Sequence, residues 1–288
     1  MQTFFNFFAL TNRPGNRVLR LRLSRDVQSN LTETFRNQRQ ELLDNTTKID
    51  FEAGYQPEKD EILEIKNFDD IDNLHDLSRN PSAIDLLEPD EEIYSSIKAI
   101  FSTSDIPTEL LFQNFDQRQI ISNSKLALLW HKDTYVKIDK PGITINKKLA
   151  VILNQTSLLF QSFWNAKKVF DLSDYFREAT AEELQTFLCH DTFAMQQIEK
   201  LRELFDSTMR KKVCQILKSG VLNYPIHQIK TVAETMQQHL SVDENDRLVL
   251  PAEKKDLKRI LRFFAEDYYL SPITETLYVS NSKRSIAQ

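Results

Sequence analysis

Asp50 and the tripeptide Glu64-Ile65-Lys66 are the residues whose types and spacing come nearest to a catalytic set. Glu64 and Lys66 stand two positions apart, so on a strand they share one face. Two carboxylates in that arrangement could hold a divalent metal while the ammonium positions or activates a water, the chemistry of PD-(D/E)xK nucleases. The same letters also describe a solvated edge, because Asp60 and Glu61 crowd the strand within an acidic stretch. Other catalytic chemistry finds less support. His75, His131, His190, His227 and His239 form no HExxH or HxH pattern and lack acidic partners at ligand spacing, so no metal is expected. Cys189 and His190 are adjacent, and adjacent helical residues project about 100° apart, which keeps a thiol from facing its base. No serine has the flanking glycines of a GxSxG elbow.

The four glycines, Gly15, Gly54, Gly142 and Gly220, are too scattered to build a Walker or dinucleotide-binding loop. P-loop NTPases and Rossmann enzymes are therefore excluded, and no cofactor is expected. Two cysteines, Cys189 and Cys214, cannot supply a zinc cluster or a disulfide framework, and they suit a reducing, cytoplasmic setting. Met1 to Leu10 is apolar but lacks a basic leader and a small-residue cleavage site. No stretch approaches the roughly 18 apolar residues of a membrane span, so membrane contact is expected only through a partner.

Charge is the stronger signal. The net charge of −5 conceals two opposed regions. Residues 44–92 hold sixteen acids against four bases, and the rest of the chain holds 33 bases against 26 acids. Polyanions respond to local patches rather than totals, so the negative sum does not exclude a nucleic-acid partner. With Met209 at the centre of an apolar stripe, one continuous helix would put Lys200, Lys211 and Lys218 on the opposite side, flanked by Arg210 and Lys212. Lys254, Lys258 and Arg262 repeat the arrangement at i, i+4 and i+8, with Lys255 and Arg259 beside them. Arg20 and Arg22 project from one face of an opening strand, near Arg13 and Arg17, while Lys283 and Arg284 add charge near the other end. The twelve expected DNA-binding residues are thus Arg20, Arg22, Lys200, Arg210, Lys211, Lys212, Lys218, Lys254, Lys255, Lys258, Arg259 and Arg262. Such clusters suit a surface that reads phosphates without base specificity. Solubilising helix faces would carry similar letters.

The elements that must position these residues follow from periodicity. With 288 residues and 41% hydrophobic composition, the chain can bury a sizeable core. Phe4 to Leu10 and Arg17 to Leu23 flank a turn-forming cluster, Thr11 to Asn16, and predict a hairpin with Leu19, Leu21 and Leu23 facing inward. A helix to about Asp44 follows, capped by Ser24 or Asp26, then a strand over Glu61 to Lys66 and a helix near Asp69 to Ser78. Short β-prone runs then predict an antiparallel sheet: Ile97–Phe101, Leu110–Phe115, Lys125–His131, Tyr135–Ile138, Leu149–Leu153, Leu158–Trp164 and Lys168–Asp171. After Asp171 the apolar period becomes helical, with a closing strand at Leu277 to Ser280. This order predicts an α+β fold: an N-terminal mixed segment, a central mostly antiparallel sheet and a C-terminal helical region. The expected domains are residues 1–171, holding the sheet, and residues 172–288, mostly helical and packed on it.

Near its C-terminal end the chain contains Asp267-Tyr268-Tyr269-Leu270-Ser271-Pro272-Ile273-Thr274, then Tyr278, then Ser280-Asn281-Ser282-Lys283-Arg284. This pattern resembles the closing signature of the KwaB family of the bacterial Kiwa antiphage system. Val169 to Phe176 is similar to the family's strand-to-helix passage, and Phe51 to Asp60, with Tyr55 and Pro57, resembles its N-terminal loop before the Glu61-Ile62-Leu63 strand. The resemblance implies a cytoplasmic defence protein that binds DNA and works with KwaA, a small membrane protein that senses infection. None of the matched segments is a basic cluster, so the DNA-binding residues rest on charge alone.

The sequence therefore leads to a non-catalytic, sequence-tolerant DNA-binding effector, a homodimer or higher homo-oligomer recruited beneath the inner membrane by its partner. Two alternatives stand beside it: a metal-dependent nuclease using Asp50, Glu64 and Lys66, and an adaptor that touches no nucleic acid.

Overall fold

Phe7 to Thr11, the first strand (β1), is a run in which every residue is buried, without the alternation of a half-exposed strand. A strand covered on both faces calls for such a run, and the computed structural model supplies both covers. The structure describes residues 4–14, 17–69, 73–121, 128–138, 141–280 and 282–284. Gly15 and Asn16 of the expected opening turn, residues 70–72 of the expected second helix, residues 125–127 of an expected strand, and Asn281 lie outside the described residues.

The chain forms two compact units, one of Met1–Phe51 and Pro57–Leu172, the other of Glu52–Gln56 and Ser173–Gln288. In the first, β1 pairs antiparallel with β2 (Val18–Arg20), which makes the expected hairpin. Helix α1 (Arg25–Leu43) follows, then β3 (Thr47–Asp50) and β4 (Glu61–Lys66). Two short helices, α2 (Leu74–Arg79) and α3 (Glu91–Ser96), lead into β5 (Ile97–Thr103) and β6 (Glu109–Asn114). Short strands β7 (Ile120–Ile121), β8 (Leu128–His131), β9 (Thr134–Lys137) and β10 (Gly142–Ile143) form the pairs β7·β10 and β8·β9. The unit ends with β11 (Val151–Asn154), β12 (Ser157–Phe160) and helix α4 (Phe163–Val169).

Eight strands make one sheet in the order β2-β1-β5-β6-β11-β12-β4-β3. Its pairings are antiparallel except β3 with β4, which run parallel. One face carries a ladder of rings in register: Phe8 stacks on Phe101 and Phe101 on Phe112, each pair at 5.0 Å, and Phe170 closes it edge-on to Phe112 at 5.1 Å. The opposite face receives α1, whose Phe35 meets Phe7 edge-on at 5.2 Å. Two ion pairs pin α1 down. Arg36 holds Asp105 through two bonds at 2.6 and 2.8 Å, and Arg39 holds Glu109, a carboxylate only 3% exposed, at 2.5 and 3.1 Å. A carboxylate so buried must be paired with a cation to remain ionised at tolerable cost.

The second unit contains α5 (Ala181–Leu188), α6 (Ile198–Leu204), α7 (Ser207–Ser219), α8 (Ile226–Thr235) and α9 (Lys254–Phe264). Between α8 and α9 lies the β13 (Ser241–Val242) and β14 (Leu248–Val249) pair, and after α9 the β15 (Tyr268–Leu270) and β16 (Leu277–Val279) pair. Leu257, Ile260, Leu261 and Phe264 of α9, spaced i, i+3, i+4 and i+7, are all buried with Met209, Val213 and Ile216 of α7. Phe193 joins this core between Phe187 at 5.0 Å and Phe264 at 5.5 Å.

Three sequence expectations change. The run Lys168–Asp171 is no strand, and Leu158–Trp164 is a strand only to Phe160. Ser162 accepts a hydrogen bond from the Asn165 N–H and caps α4, so a helix forms where β-prone Phe163, Trp164 and Val169 suggest extension. The apolar stripe from Ile198 to Ile216 does not belong to one helix. Asp206 accepts from the Met209 N–H at 3.0 Å and starts α7 anew, which separates Lys200 on α6 from Lys211 and Lys218 on α7.

Candidate nucleic-acid interface

Helix α7 carries Arg210, Lys211, Lys212 and Lys218 and no acid, because its apolar positions face the core and leave the remaining side to cations. Helix α9 carries Lys254, Lys255, Lys258, Arg259 and Arg262 against the single acid Asp256. The two helices pack together. The beginnings of α7 and α9 are tied by Asp206, which takes Lys254 at 3.1 Å and Lys258 at 2.8 Å. Those ammonium groups, with the capped Met209 N–H, hold the Asp206 carboxyl well below the usual carboxylate range, Lys258 acting most strongly.

Ten of the twelve expected cations lie in the second unit and fall into three groups. Lys212, Lys254, Lys258 and Arg259 each have a carboxylate: Lys212 bonds Asp267, Arg259 lies 3.8 Å from Asp256, and the other two share Asp206. Lys211 and Arg210 have non-carboxylate contacts, Lys211 lying over the Phe176 ring at 4.9 Å and Arg210 donating to the Ala179 carbonyl at 3.5 Å. Lys200, Lys218, Lys255 and Arg262 are exposed and, among the described residues, have no carboxylate within ion-pair distance. In the first unit, Arg22 is exposed on the chain after edge strand β2, while Arg20 is half-buried with its Nε lacking a hydrogen-bond partner among the described residues.

A small pocket of about 140 Å³ opens beside α7. Phe176, Thr208, Lys211, Lys212, Asp267 and Lys283 line it, with Gly54 and Ser280 on its wall. The segments that resemble a known family at Phe51–Asp60, Val169–Phe176 and Asp267–Arg284 each contribute a residue to it. Tail and loop are tied together: the Gln56 N–H donates to Ser282 Oγ at 2.9 Å, and the Arg284 guanidinium lies over Tyr55 at 5.7 Å. Gln215 of α7 donates to the Ala53 carbonyl at 3.0 Å, and Gly54 at φ +92° makes a turn that side-chain-bearing residues rarely adopt. Sequence reasoning missed Asp206, Asp267, Thr208 and Phe176. The letters around Asp206 do carry a helix-start signal, an acid three positions before the first buried residue of α7.

The alternative set also meets in part. Parallel pairing of β3 with β4 puts Asp50 opposite Glu64, and Lys66 bonds Asp50 at 2.6 Å. Asp50 lies on an edge strand with its side chain 71% exposed. Among the described residues no group of three or more His, Cys, Asp or Glu side chains is placed to hold a metal ion. Elsewhere, His190 Nδ1 engages Thr192 Oγ1 at 3.0 Å while Cys189 Sγ takes the Gln185 amide, so thiol and imidazole have separate partners.

A mostly antiparallel sheet unit and a helical unit with two cation-bearing helices define an α+β protein with a basic helical surface. The sequence pattern of the family described as Kiwa protein KwaB-like matches residues 106–274, more than half of the chain, and the chain belongs to that family. It is thereby a component of Kiwa antiphage defence. Comparison with curated proteins and with solved structures returned no match. Among the described residues no helix is long and apolar enough to cross a membrane.

Proposed function

We propose that this protein is a non-catalytic defence effector that binds duplex DNA through its phosphates, using α7 and α9 of the second unit. The observation that carries this reading is the concentration of nine cations and one acid on two helices packed side by side. Lys218, Lys255 and Arg262 offer charge without a carboxylate counter-ion, and Lys211 and Arg210 extend the patch. Lys254 and Lys258 contribute less because they share the Asp206 carboxylate, which offsets one of their two charges, and Lys212 is likewise offset in part by Asp267. Lys200, on α6, is an outlying contact in this reading, and Arg259 is weaker because its Nε atom is enclosed; Arg20 and Arg22 stand on the first unit and are proposed as separate contacts. Binding of this kind neutralises phosphates, releases counter-ions and tolerates any sequence.

The rest of the proposal is action in the cytoplasm as a homodimer or higher homo-oligomer, brought to the inner membrane by a KwaA-like membrane protein, a partner consistent with membership of the Kiwa family. A gel-shift titration of the purified protein on duplex DNA, with and without magnesium, tests the reading. Retardation in both conditions supports it. Magnesium-dependent cleavage points to Asp50, Glu64 and Lys66, whose β3·β4 register favours a nuclease as the second reading. Inertness at low salt leaves an adaptor role.

A further inference from the structure

We infer that the pocket formed by Phe176, Thr208, Lys211, Lys212, Asp267 and Lys283 receives a terminal phosphate monoester, the 5′-phosphate at the end of a DNA strand. The inference rests on the DNA-binding reading and adds a preference for phosphorylated ends.

Size and charge both point to this ligand. At about 140 Å³ the pocket is well below the roughly 300 Å³ at which sites for whole small molecules begin, so it suits a compact oxyanion rather than a base with its sugar. Three lysines, Lys211, Lys212 and Lys283, and one aspartate, Asp267, line it. Asp267 is 8% exposed in its side chain and bonds both Lys212 and Lys283, the latter at 3.5 Å. One carboxylate cannot neutralise two lysines, and Lys211 has an aromatic ring in place of a counter-ion. The pocket is left with an excess of two positive charges. A phosphate monoester carries about −1.5 to −2 at neutral pH and so matches it, whereas an internal phosphodiester carries −1.

The walls are also arranged for an anion. Thr208 stands one helical turn before Lys211 and Lys212 and brings a hydroxyl to the same side. Gly54 adds backbone without a side chain, the Gln56 N–H bonds the Ser282 hydroxyl next to Lys283, and the Lys283 ammonium donates to the Ala265 carbonyl. Asp267 acts here as a positioning residue that holds two ammonium groups close together despite their repulsion.

Fluorescence anisotropy with one duplex in three forms tests the inference: 5′-phosphorylated, 5′-hydroxyl, and closed at both ends by hairpin loops. The wild-type protein is expected to bind the phosphorylated form at least fivefold more tightly than the other two. Lys283→Gln and Thr208→Val are expected to reduce this ratio towards one; a ratio of affinities cancels any general loss of binding in either variant. Equal binding of all three forms by the wild type overturns the inference and leaves backbone binding intact. A preference that survives both variants removes it from this pocket. Failure to bind any form overturns the DNA reading and the inference together. Displacement by a deoxynucleoside 5′-monophosphate, without preference among the duplexes, assigns the pocket to free nucleotides instead and overturns the strand-end assignment.

Discussion

Asp206 and Lys258 meet at 2.8 Å at the start of α7, and the same carboxylate oxygen takes Lys254 at 3.1 Å. Its other oxygen caps the helix through the Met209 N–H. A single acid therefore starts one basic helix and neutralises part of the next. This arrangement joins the fold to the proposed binding surface.

Asp206→Asn separates those two tasks. Asparagine caps helices about as well as aspartate, so α7 should still form. Lys254 and Lys258 would lose their counter-ion, and duplex affinity at fixed salt should rise, as measured by anisotropy. Unchanged affinity in the folded variant would take the start of α9 out of the binding surface.

Acid should weaken the second unit through Glu183. Arg177 grips this carboxylate with two bonds at 2.5 Å and, with the Thr180 N–H, holds it down to about 2 from 4.5. The unfolded chain then binds more protons than the folded one as pH falls. The contribution is complete above about pH 5 and disappears towards pH 2. Denaturant titrations at pH 6 and pH 3 should show a larger loss for wild type than for Arg177→Gln. Equal losses would rule out Arg177 as the cause.

Phe264 is 1% exposed and stands edge-on to Phe193 at 5.5 Å. Phe264→Ala should cost about 3–5 kcal/mol, the usual range for an emptied aromatic site in a packed core. A loss below about 1 kcal/mol by chemical denaturation would mean that the surrounding side chains close the gap.

Plasmid incubated with the protein and magnesium should remain intact. Asp50 is strongly exposed, and its carboxylate is already engaged by Lys66. Strand breaks that vanish in both Asp50→Ala and Glu64→Ala would replace binding by metal-dependent hydrolysis as the function.

Much of this architecture was legible because local patterns and tertiary demands agree. Glu61 to Lys66 is a strand over its full expected length, and Arg25 to Leu43 forms the expected first helix. Where they disagree, a cap explains the difference: Ser162 starts α4 among β-prone residues, and Asp206 divides one apolar stripe between two helices. The cations were readable by type, while their partners were not. Asp206 lies 52 positions from Lys258, and Asp267 lies 55 from Lys212, so helix periodicity within either segment could not pair them. The convergence of Gly54, Phe176 and Lys283 likewise depends on the chain path.

The salt dependence of duplex binding tests the central claim most directly. Phosphate neutralisation predicts that log affinity falls linearly with log salt, by about 0.9 for each phosphate contacted. It also predicts that Lys211→Glu with Lys218→Glu, and Lys258→Glu with Arg262→Glu, weaken binding to unrelated duplexes alike and flatten that slope. A slope near zero in the wild type, or unchanged affinity in both folded double variants, would contradict it.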